Sequence, residues 1–380
     1  MDGAENGGVV STEAQRWAWR GLSAFESADL VRRNHERTFE RRMNAGAAQD
    51  VISAIAQGRE YFNAAATAGE LVKPLLLYYG VLSLSNALNV FARPQVRAST
   101  LKPGHGLKSS RWPEMLAEDG GTVRLQIEVS VGAFSQLMDV SRERYTISVS
   151  TTDFDYDFGG AFSGGVPPSI GFFGQELIVQ RPAGAGLGAR LSLKGLLGRI
   201  PEISEVYQEC FDEPPKNFPV SVVRSQRNNE LVISVRCGSA GFPGDDVLRR
   251  EYALQDGAGI SRPALGVVRD VYASRYESLV DDRMIELRYP AAISYAIPFI
   301  EDGVMIAPFE DGSYVPALPR LFALSYFLGM LSRYHSTAWL SLVQGRGNGN
   351  IMLPIVRESV AAIEGQFPVL VLRELTRARI

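Results

Sequence analysis

The chain of 380 residues carries a net charge of −3 and has the composition of an ordinary globular protein. Apolar residues make up 46% and charged residues 21%, which excludes an intrinsically disordered chain. The small negative charge gives no support for a globally basic nucleic-acid binder, but it does not exclude one, because binding depends on where the charge lies. The two cysteines, Cys210 and Cys237, have no CxxC spacing, which argues against a structural zinc site or a disulfide framework.

The N-terminal residues do not resemble an export signal. Residues 1–10 are small, acidic and glycine-rich, without a basic region followed by an apolar stretch. The most apolar segment, 75–90, is interrupted by polar residues and falls short of the roughly 20 apolar residues that a membrane span needs. We therefore expect a cytoplasmic protein with no membrane partner and a flexible N-terminus over residues 1–10.

The following region, residues 11–118, is predicted to be helical. Ser11 or Thr12 is the candidate N-cap of a first helix, and a second helix is predicted over about 47–66. A third helix, over about 74–91, starts at a proline, which is favoured in the first turn. Because this third helix is apolar nearly all round, we expect it to lie at the centre of the helical region.

Two polar features of this helical region also give expectations. Ser85, Asn86 and Asn89 form a polar stripe on the third helix, for which we expect hydrogen bonds to neighbouring helices. His35 lies in an arginine-rich polar run, where we expect an exposed side chain.

Residues 119–315 are predicted to form a β-rich central region with a helical insertion over 193–211. Alternation of apolar and polar residues, or short runs rich in β-branched residues, predicts strands in five places. These strands span 122–129, 145–150, 176–180, 220–223 and 231–236.

The C-terminal region, residues 316–380, returns to helical patterns. Helices are predicted over 319–334, over about 354–364 and over 368–376. The order of helices, sheet and helices predicts an α+β fold. In this fold the C-terminal helices pack back on the N-terminal region as one helical bundle.

The charge distribution contains one anomaly, because no aspartate or glutamate occurs between Leu71 and Pro113. A loop with cations, hydroxyls and glycine amides is suited to holding a phosphate or another anion. The alternative is a solvated surface whose charges are balanced by acids from elsewhere in the chain. The cations and the histidine of this stretch are Lys73, Arg93, Arg97, Lys102, His105, Lys108 and Arg111.

Histidine occurs only at His35, His105 and His335, so a histidine general base is limited to these positions. His105 is flanked by glycines, which give the backbone freedom and access to the ring. His335 follows Arg333 at a predicted helix end, where the helix dipole favours a cation.

The familiar cofactor motifs do not fit. The glycines of 184–188 lack the GxGxxG spacing of a dinucleotide site. Asp153, Asp155 and Asp157 alternate as in a calcium loop, but the glycine and glutamate of an EF-hand are missing, and a divalent ion there is only an alternative. No P-loop, HExxH or GxSxG motif occurs, so we expect neither a cofactor nor a metal.

Three ordered groups of segments together resemble the bacterial YaaC-like family. The first group comprises Arg59-Glu-Tyr-Phe, Lys73-Pro-Leu-Leu-Leu-Tyr-Tyr-Gly80 and the His-Gly-Leu within 101–107. The second is Leu191 to Ile203, and the third is Tyr326 to His335 with Trp339 beyond it. The resemblance implies a bacterial, cytoplasmic protein but no particular reaction. The polar positions inside the matching segments are Arg59, Lys73, His105, Arg333 and His335.

The terminal helices are also similar to HEPN-type helical bundles, whose active members cut RNA with a paired Arg and His. The spacing of that pair is absent from this chain. Seven residues separate Arg97 from His105, and one residue separates Arg333 from His335.

Three functions therefore stay open. The favoured one is a binding or regulatory module for an anionic ligand, a nucleotide or nucleic acid. The second is a metal-independent HEPN-like ribonuclease in which His105, His335 and Arg333 converge. The third is a scaffold subunit of a bacterial complex, in anti-phage defence for example, with a protein partner or a homodimer. The ligand-binding candidates are Arg59, Lys73, Arg97, Lys102, His105, Lys108 and Arg111.

Overall fold

The computed structural model shows an α+β protein with long helices and small antiparallel sheets. The structure describes residues 6–93, 95, 97–101, 104–118, 121–141, 145–151, 173–179, 184–227, 230–237, 245–252, 259–261, 283–290, 300–301, 303–346 and 349–376. The predicted calcium-like run at 153–157 and Lys102 lie outside these residues.

The helices and strands follow one another along the whole chain. The helices are α1 (Asn6–Ser23), α2 (Ala28–Phe39), α3 (Ala45–Thr67), α4 (Lys73–Ala92), α5 (Trp112–Ala117), α6 (Ala133–Val140), α7 (Leu193–Leu197), α8 (Ser204–Phe211), α9 (Asp245–Glu251), α10 (Ala317–Tyr334), α11 (Ser336–Val343) and α12 (Gly349–Thr376). The strands are β1 (His105–Ser109), β2 (Gln126–Gly132), β3 (Tyr145–Thr151), β4 (Phe173–Val179), β5 (Arg190–Ser192), β6 (Asn217–Arg227), β7 (Glu230–Cys237), β8 (Gly259–Ser261), β9 (Arg283–Pro290), β10 (Ile300–Glu301) and β11 (Val304–Ile306). Short 3₁₀ turns include Ala98–Thr100 and Gly121–Arg124.

The chain divides into two compact units. The first comprises residues 1–143, 184–215 and 315–380, and the second comprises 144–183 and 216–314. The first unit therefore contains all helices except α9, together with a three-stranded sheet of order β1-β2-β5. It includes residues 121–141 and 184–215, which belong to the range predicted as the β-rich region. The domain boundaries taken from the sequence stay a prediction.

The second unit is built on β6 and β7. Its strands run in the order β10-β11-β6-β7-β9-β8, and all of these neighbours are antiparallel. β3 adds to this sheet by a parallel pairing with β6 and an antiparallel pairing with β4.

Helix α4 forms the centre of the first unit, as its apolar sequence predicts. It packs against α3, α6, α10 and α12, while α1 packs against α12. The N- and C-terminal helices thus form one bundle, which confirms the predicted α+β arrangement. By length and composition α4 is apolar enough to cross a membrane, but two thirds of that window (67%) is buried in the protein. A buried core helix has the same composition.

Glycines allow the central helices to approach closely. A Cβ atom on Gly58 of α3 would lie 2.8 Å from the Leu84 side chain of α4. A Cβ atom on Gly329 of α10 would lie 2.8 Å from the Cβ atom of Tyr78. Since Tyr78 and its surroundings are buried, neither helix has room for an added methyl group.

Several sequence predictions about element ends are wrong. α1 begins at Asn6, so Ser11 and Thr12 lie inside the helix and do not cap it. The predicted strand over 122–129 begins as the 3₁₀ turn Gly121–Arg124, and β2 starts only at Gln126.

The two predicted C-terminal helices are one continuous helix, α12, despite Pro354 and Pro368. Pro368 has no N–H to donate to the carbonyl of Glu364 one turn earlier. The side chain of Gln15 on α1 donates to that carbonyl instead, at 3.1 Å. A donor from the opposite end of the chain thus satisfies the group that the proline leaves open.

The close packing of α10 on α4 gives the first prediction. Replacing Gly329 with Ala improves the helix propensity of α10 by about 1 kcal/mol. The added methyl group clashes with Tyr78 in a buried contact, which costs about 1–3 kcal/mol. We expect Gly329→Ala to lower the free energy of unfolding, measured by denaturant titration. The control is Gly69→Ala, where nothing lies within 4 Å of the added atom. A Gly329→Ala protein as stable as wild type would contradict this packing.

Candidate ligand-binding site

Two glycines place His105 at the edge of the helical core. Gly106 has φ +77°, a conformation that residues with a side chain rarely adopt. Its Cβ atom would lie 2.9 Å from the backbone nitrogen of Phe134, and a Cβ atom on Gly132 would lie 2.4 Å from the nitrogen of Gly106. The start of β1 therefore crosses the end of β2 at a distance that only glycine permits, which fixes His105 against the helices.

The imidazole of His105 forms a hydrogen bond with a buried tyrosine of α4. Its Nδ1 atom pairs with the hydroxyl of Tyr78, whose side chain is fully buried. The His105 ring also lies 5.7 Å from the ring of Tyr326 on α10, which is 4% exposed. His105 is thus held between α4 and α10 by two tyrosines.

Burial and one positive charge set the protonation state of these groups. Burial lowers the pKa of His105, and the charge of Arg333 lowers it further. Burial also raises the pKa of Tyr78, as do the neighbouring Tyr326 and Tyr79. At neutral pH the imidazole is therefore uncharged and the phenol keeps its proton, so His105 can accept a proton.

Arg333 lies at the end of α10 among aromatic rings. Its Nη1 atom donates to the hydroxyl of Tyr79, and its guanidinium lies 4.9 Å from the centre of the Tyr334 ring. The ring of Tyr79 stacks on that of Tyr61 at 5.5 Å. In the part of the chain that the structure describes, no carboxylate pairs with Arg333.

A cavity of about 730 Å³ lies beside His105, between α3, α4 and the loop before β1. This volume is in the usual range for small-molecule sites. Its lining combines amides and hydroxyls with apolar groups: Asp50, Ser53, Ala54, Gln57, Leu82, Ser83, Asn86, Ala98, Ser99, Leu101, Gly104, His105 and Ala133.

The carboxylate in this lining, Asp50, is already neutralised. It accepts from Arg97 at 2.7 Å and from the backbone nitrogen of Ala98 at 2.9 Å. The Arg97 hydrogen bond and the Ala98 contact hold the pKa of Asp50 below its ordinary value, against the opposing effect of burial. The cavity therefore offers mainly neutral hydrogen-bonding groups to a ligand.

Three candidate cations of the acid-free stretch have carboxylate partners from other parts of the chain. Lys73 pairs with Glu364 at 2.6 Å, and Arg93 lies 3.4 Å from Asp139. Arg97 pairs with Asp50 at 2.7 Å. These contacts match the alternative in which distant acids balance the basic stretch.

The remaining ligand-binding candidates differ in their surroundings. Arg59 on α3 pairs with Glu26. Lys108 is exposed and lies opposite Glu128 in the β1–β2 register. Arg111 is exposed at the start of α5. A ligand-binding role for these residues stays a prediction.

His335 has surroundings of its own. It lies between α10 and α11, and its ring is 5.7 Å from that of Trp112. Burial lowers the pKa of His335, which opposes the cation expected at this helix end. Among the described residues, no hydrogen bond or ring contact joins His335 to His105. The convergence of the two histidines in one catalytic site stays a prediction.

The expectation that His35 is exposed is wrong. The side chain is fully buried, its Nδ1 atom lies 2.7 Å from the carbonyl of Arg41, and its ring stacks on Phe39 at 4.6 Å. The reason is that α2 is amphipathic, and His35 falls on its buried face together with Val31 and Thr38.

The polar stripe of α4 is also different from the expectation. Ser85 donates to the carbonyl of Val81 in its own helix, and Asn86 lines the cavity. Asn89 is buried, and within the described residues its side-chain nitrogen and oxygen have no hydrogen-bond partner. The hydrogen bond between helices comes from Ser83, which donates to Gln57 at 3.2 Å.

The tyrosines of this site did not follow from the sequence analysis. Tyr78 and Tyr79 are adjacent in an otherwise apolar helix, which is the one sequence signal that could have indicated them. Tyr326 lies in the middle of α10 and Tyr334 is its last residue, and neither gave a signal of its own in the sequence.

The fold and the site together define an α+β protein in which a helical bundle holds a histidine beside a polar cavity. The chain belongs to the YaaC-like family, since the model of the family described as YaaC-like Protein matches residues 23–375. This match confirms the resemblance seen in the sequence. No curated protein and no solved structure matches the chain. The likeness to HEPN-type bundles stays a prediction.

The charge of Arg333 gives a prediction about His105. We expect the imidazole of His105 to titrate below the ordinary value of about 6.5. Removing the positive charge with Arg333→Gln makes protonation easier, so the pKa of His105 should rise. With only three histidines, NMR titration of histidine-labelled protein can follow each ring, and His105→Asn assigns its resonance.

The matched control for this titration is Arg357→Gln, which removes an exposed arginine that pairs with Glu70. This substitution should leave the titration midpoint of the His105 imidazole unchanged. If Arg333→Gln also leaves it unchanged, the guanidinium does not act on this histidine.

Proposed function

We propose that this protein is a binding module for an anionic ligand of the nucleotide class, held in the cavity beside His105. The observation that carries the proposal is the composition of the cavity wall, in which amides and hydroxyls surround a space large enough for a nucleotide. Asn and Gln side chains form paired hydrogen bonds with base edges, and hydroxyls suit the sugar.

The positive charge that binds the phosphate of the nucleotide would lie at the end of the cavity next to His105. Arg333 acts electrostatically on His105 and has no carboxylate partner among the described residues. This differs from the basic stretch itself, where Lys73, Arg93 and Arg97 already bind carboxylates. The proposal therefore keeps the anionic ligand but moves the charge that binds it from those residues to Arg333, with the uncharged His105 as a hydrogen-bonding neighbour.

The test is the binding of a fluorescent adenine nucleotide, MANT-ADP, to purified protein. Asn86→Leu removes an amide from the cavity wall while keeping the shape of the side chain. Losing a ligand hydrogen bond of about 1–2 kcal/mol should weaken binding by about 5- to 30-fold. Fluorescence anisotropy measures the dissociation constants of the wild type and the variant, which are then compared.

Asn63→Leu is the control, because Asn63 is an exposed residue of α3 outside this cavity. It should bind as wild type does. Equal binding by wild type, Asn86→Leu and Asn63→Leu would place the ligand elsewhere. No binding to wild type at any nucleotide concentration would overturn the proposal.

A second candidate function is the metal-independent ribonuclease, for which the residues would be His105, held by Tyr78, and Arg333, held by the adjacent Tyr79. An uncharged His105 could take the proton of a ribose 2′-hydroxyl, whose oxygen then attacks the phosphorus. The bond to the 5′-oxygen breaks, and that oxygen needs a proton, which His335 would supply from its protonated form, a minority at neutral pH because burial lowers its pKa. Arg333 would stabilise the charge on the phosphate oxygens. The products are a 2′,3′-cyclic phosphate and a free 5′-hydroxyl.

Cleavage of labelled single-stranded RNA in EDTA tests this function. His105→Asn and Arg333→Gln should each reduce the rate about 100-fold or more, because they remove a base and a charge from the transition state. His335→Asn should also reduce it if His335 is the acid. Intact RNA after long incubation with wild-type protein would reject the ribonuclease. The scaffold hypothesis stays a prediction.

A further inference from the structure

Four side chains on α3, α4 and α10 contact one another one after the next across the surface. Tyr61 stacks on Tyr79 with ring centres 5.5 Å apart and ring planes 29° apart. The hydroxyl of Tyr79 accepts a hydrogen bond from Arg333. The guanidinium of Arg333 lies 4.9 Å from the centre of the Tyr334 ring. These four residues are named the aromatic–arginine surface below.

The aromatic–arginine surface is accessible to a ligand. Tyr334 is 63% exposed, Arg333 is exposed, and Tyr61 and Tyr79 are half-buried. A tyrosine so exposed contributes little to the core, so the part of its ring that Arg333 does not cover is available for contact with another molecule.

The charge of this surface is not neutralised within the described residues. Arg59, Lys73 and Arg97 each bind a carboxylate, whereas the described contacts of Arg333 are a phenol hydroxyl and an aromatic ring. A cation at the end of α10 is favoured by the helix dipole, which explains Arg333 alone. The dipole does not explain the exposed Tyr334 beside it or the stacked pair of Tyr61 and Tyr79.

Aromatic rings beside a cation that has no carboxylate partner among the described residues match the chemistry of single-stranded nucleic acid. Bases stack on aromatic side chains whatever their sequence, and arginine binds the phosphates between them. We propose that the aromatic–arginine surface binds single-stranded nucleic acid by stacking its bases on Tyr334 and on the pair of Tyr61 and Tyr79. This inference rests on the proposed function, because it names the ligand as a strand that extends beyond one nucleotide.

The test compares three probes with the full-length protein. These are a fluorescein-labelled oligothymidylate of about twelve nucleotides, MANT-ADP, and inorganic polyphosphate of similar length as an unlabelled competitor. We expect the oligonucleotide to bind more tightly than the single nucleotide. Polyphosphate should compete poorly, since it carries charge without bases to stack.

Variants then locate the binding. Tyr334→Ala should weaken oligonucleotide binding by at least about fivefold, and Tyr334→Trp should preserve it, because stacking needs a ring. Arg333→Gln should weaken it and lower the slope of log affinity against log salt by about one. The control is Arg42→Gln, which removes the same charge from an exposed residue paired with Glu36 and should change neither quantity.

Each outcome separates this inference from the proposed function. Nucleotide binding without a gain for the oligonucleotide overturns the stacking surface and leaves the cavity proposal standing. Oligonucleotide binding that polyphosphate displaces equally well, or that survives Tyr334→Ala, also overturns it, because charge alone then explains the affinity. If neither the nucleotide nor the oligonucleotide binds, both proposals fail.

Discussion

The buried hydroxyl of Tyr78 sets the arrangement of the helical unit and its site. A phenol hydroxyl enclosed in a core without a hydrogen-bond partner costs about 1–3 kcal/mol. Tyr78 lies on the buried face of α4, where the backbone of α10 at Gly329 approaches within contact distance. His105 supplies the hydrogen-bond partner. It reaches Tyr78 only because Gly106 and Gly132 let the start of β1 cross β2 closely. The buried position of Tyr78 in α4 thus determines where His105, at the start of β1, must lie.

The positive charges of the acid-free stretch show why charge along a sequence differs from charge in space. Acids are missing for some forty residues around Lys73 and Arg97, yet Glu364 from α12 and Asp50 from α3 lie beside these cations. Arg333 shows the reverse: it lies far along the sequence from this stretch, and no carboxylate pairs with it among the described residues. A basic stretch in the sequence therefore does not by itself give unneutralised charge in the folded chain.

The sequence predicted the elements whose periodicity and local signals agree. α4 begins near its proline, and α10 follows the leucine pattern of its buried face. The errors arose where tertiary contacts replaced local signals. The donor from Gln15 allows α12 to continue through Pro368. His35 is buried because the spacing of Val31, His35 and Thr38 outweighs the polar run around them. That spacing was present in the sequence, whereas the contact of Gln15 with Glu364 spans nearly the whole chain.

The candidate site could be predicted only in part, because it too depends on tertiary contacts that leave no local signal in the sequence. His105 stood out because its neighbours are glycines and the chain has few histidines. The tyrosines did not, because a ring in an apolar helix is equally consistent with core packing. Adjacent residues of a helix point about 100° apart. Tyr78 therefore turns into the core to meet His105, while Tyr79 turns outward to Tyr61 and Arg333. One pair of neighbouring tyrosines thus contacts a half-buried, uncharged histidine on one side and, on the other, an exposed arginine that has no carboxylate partner among the described residues.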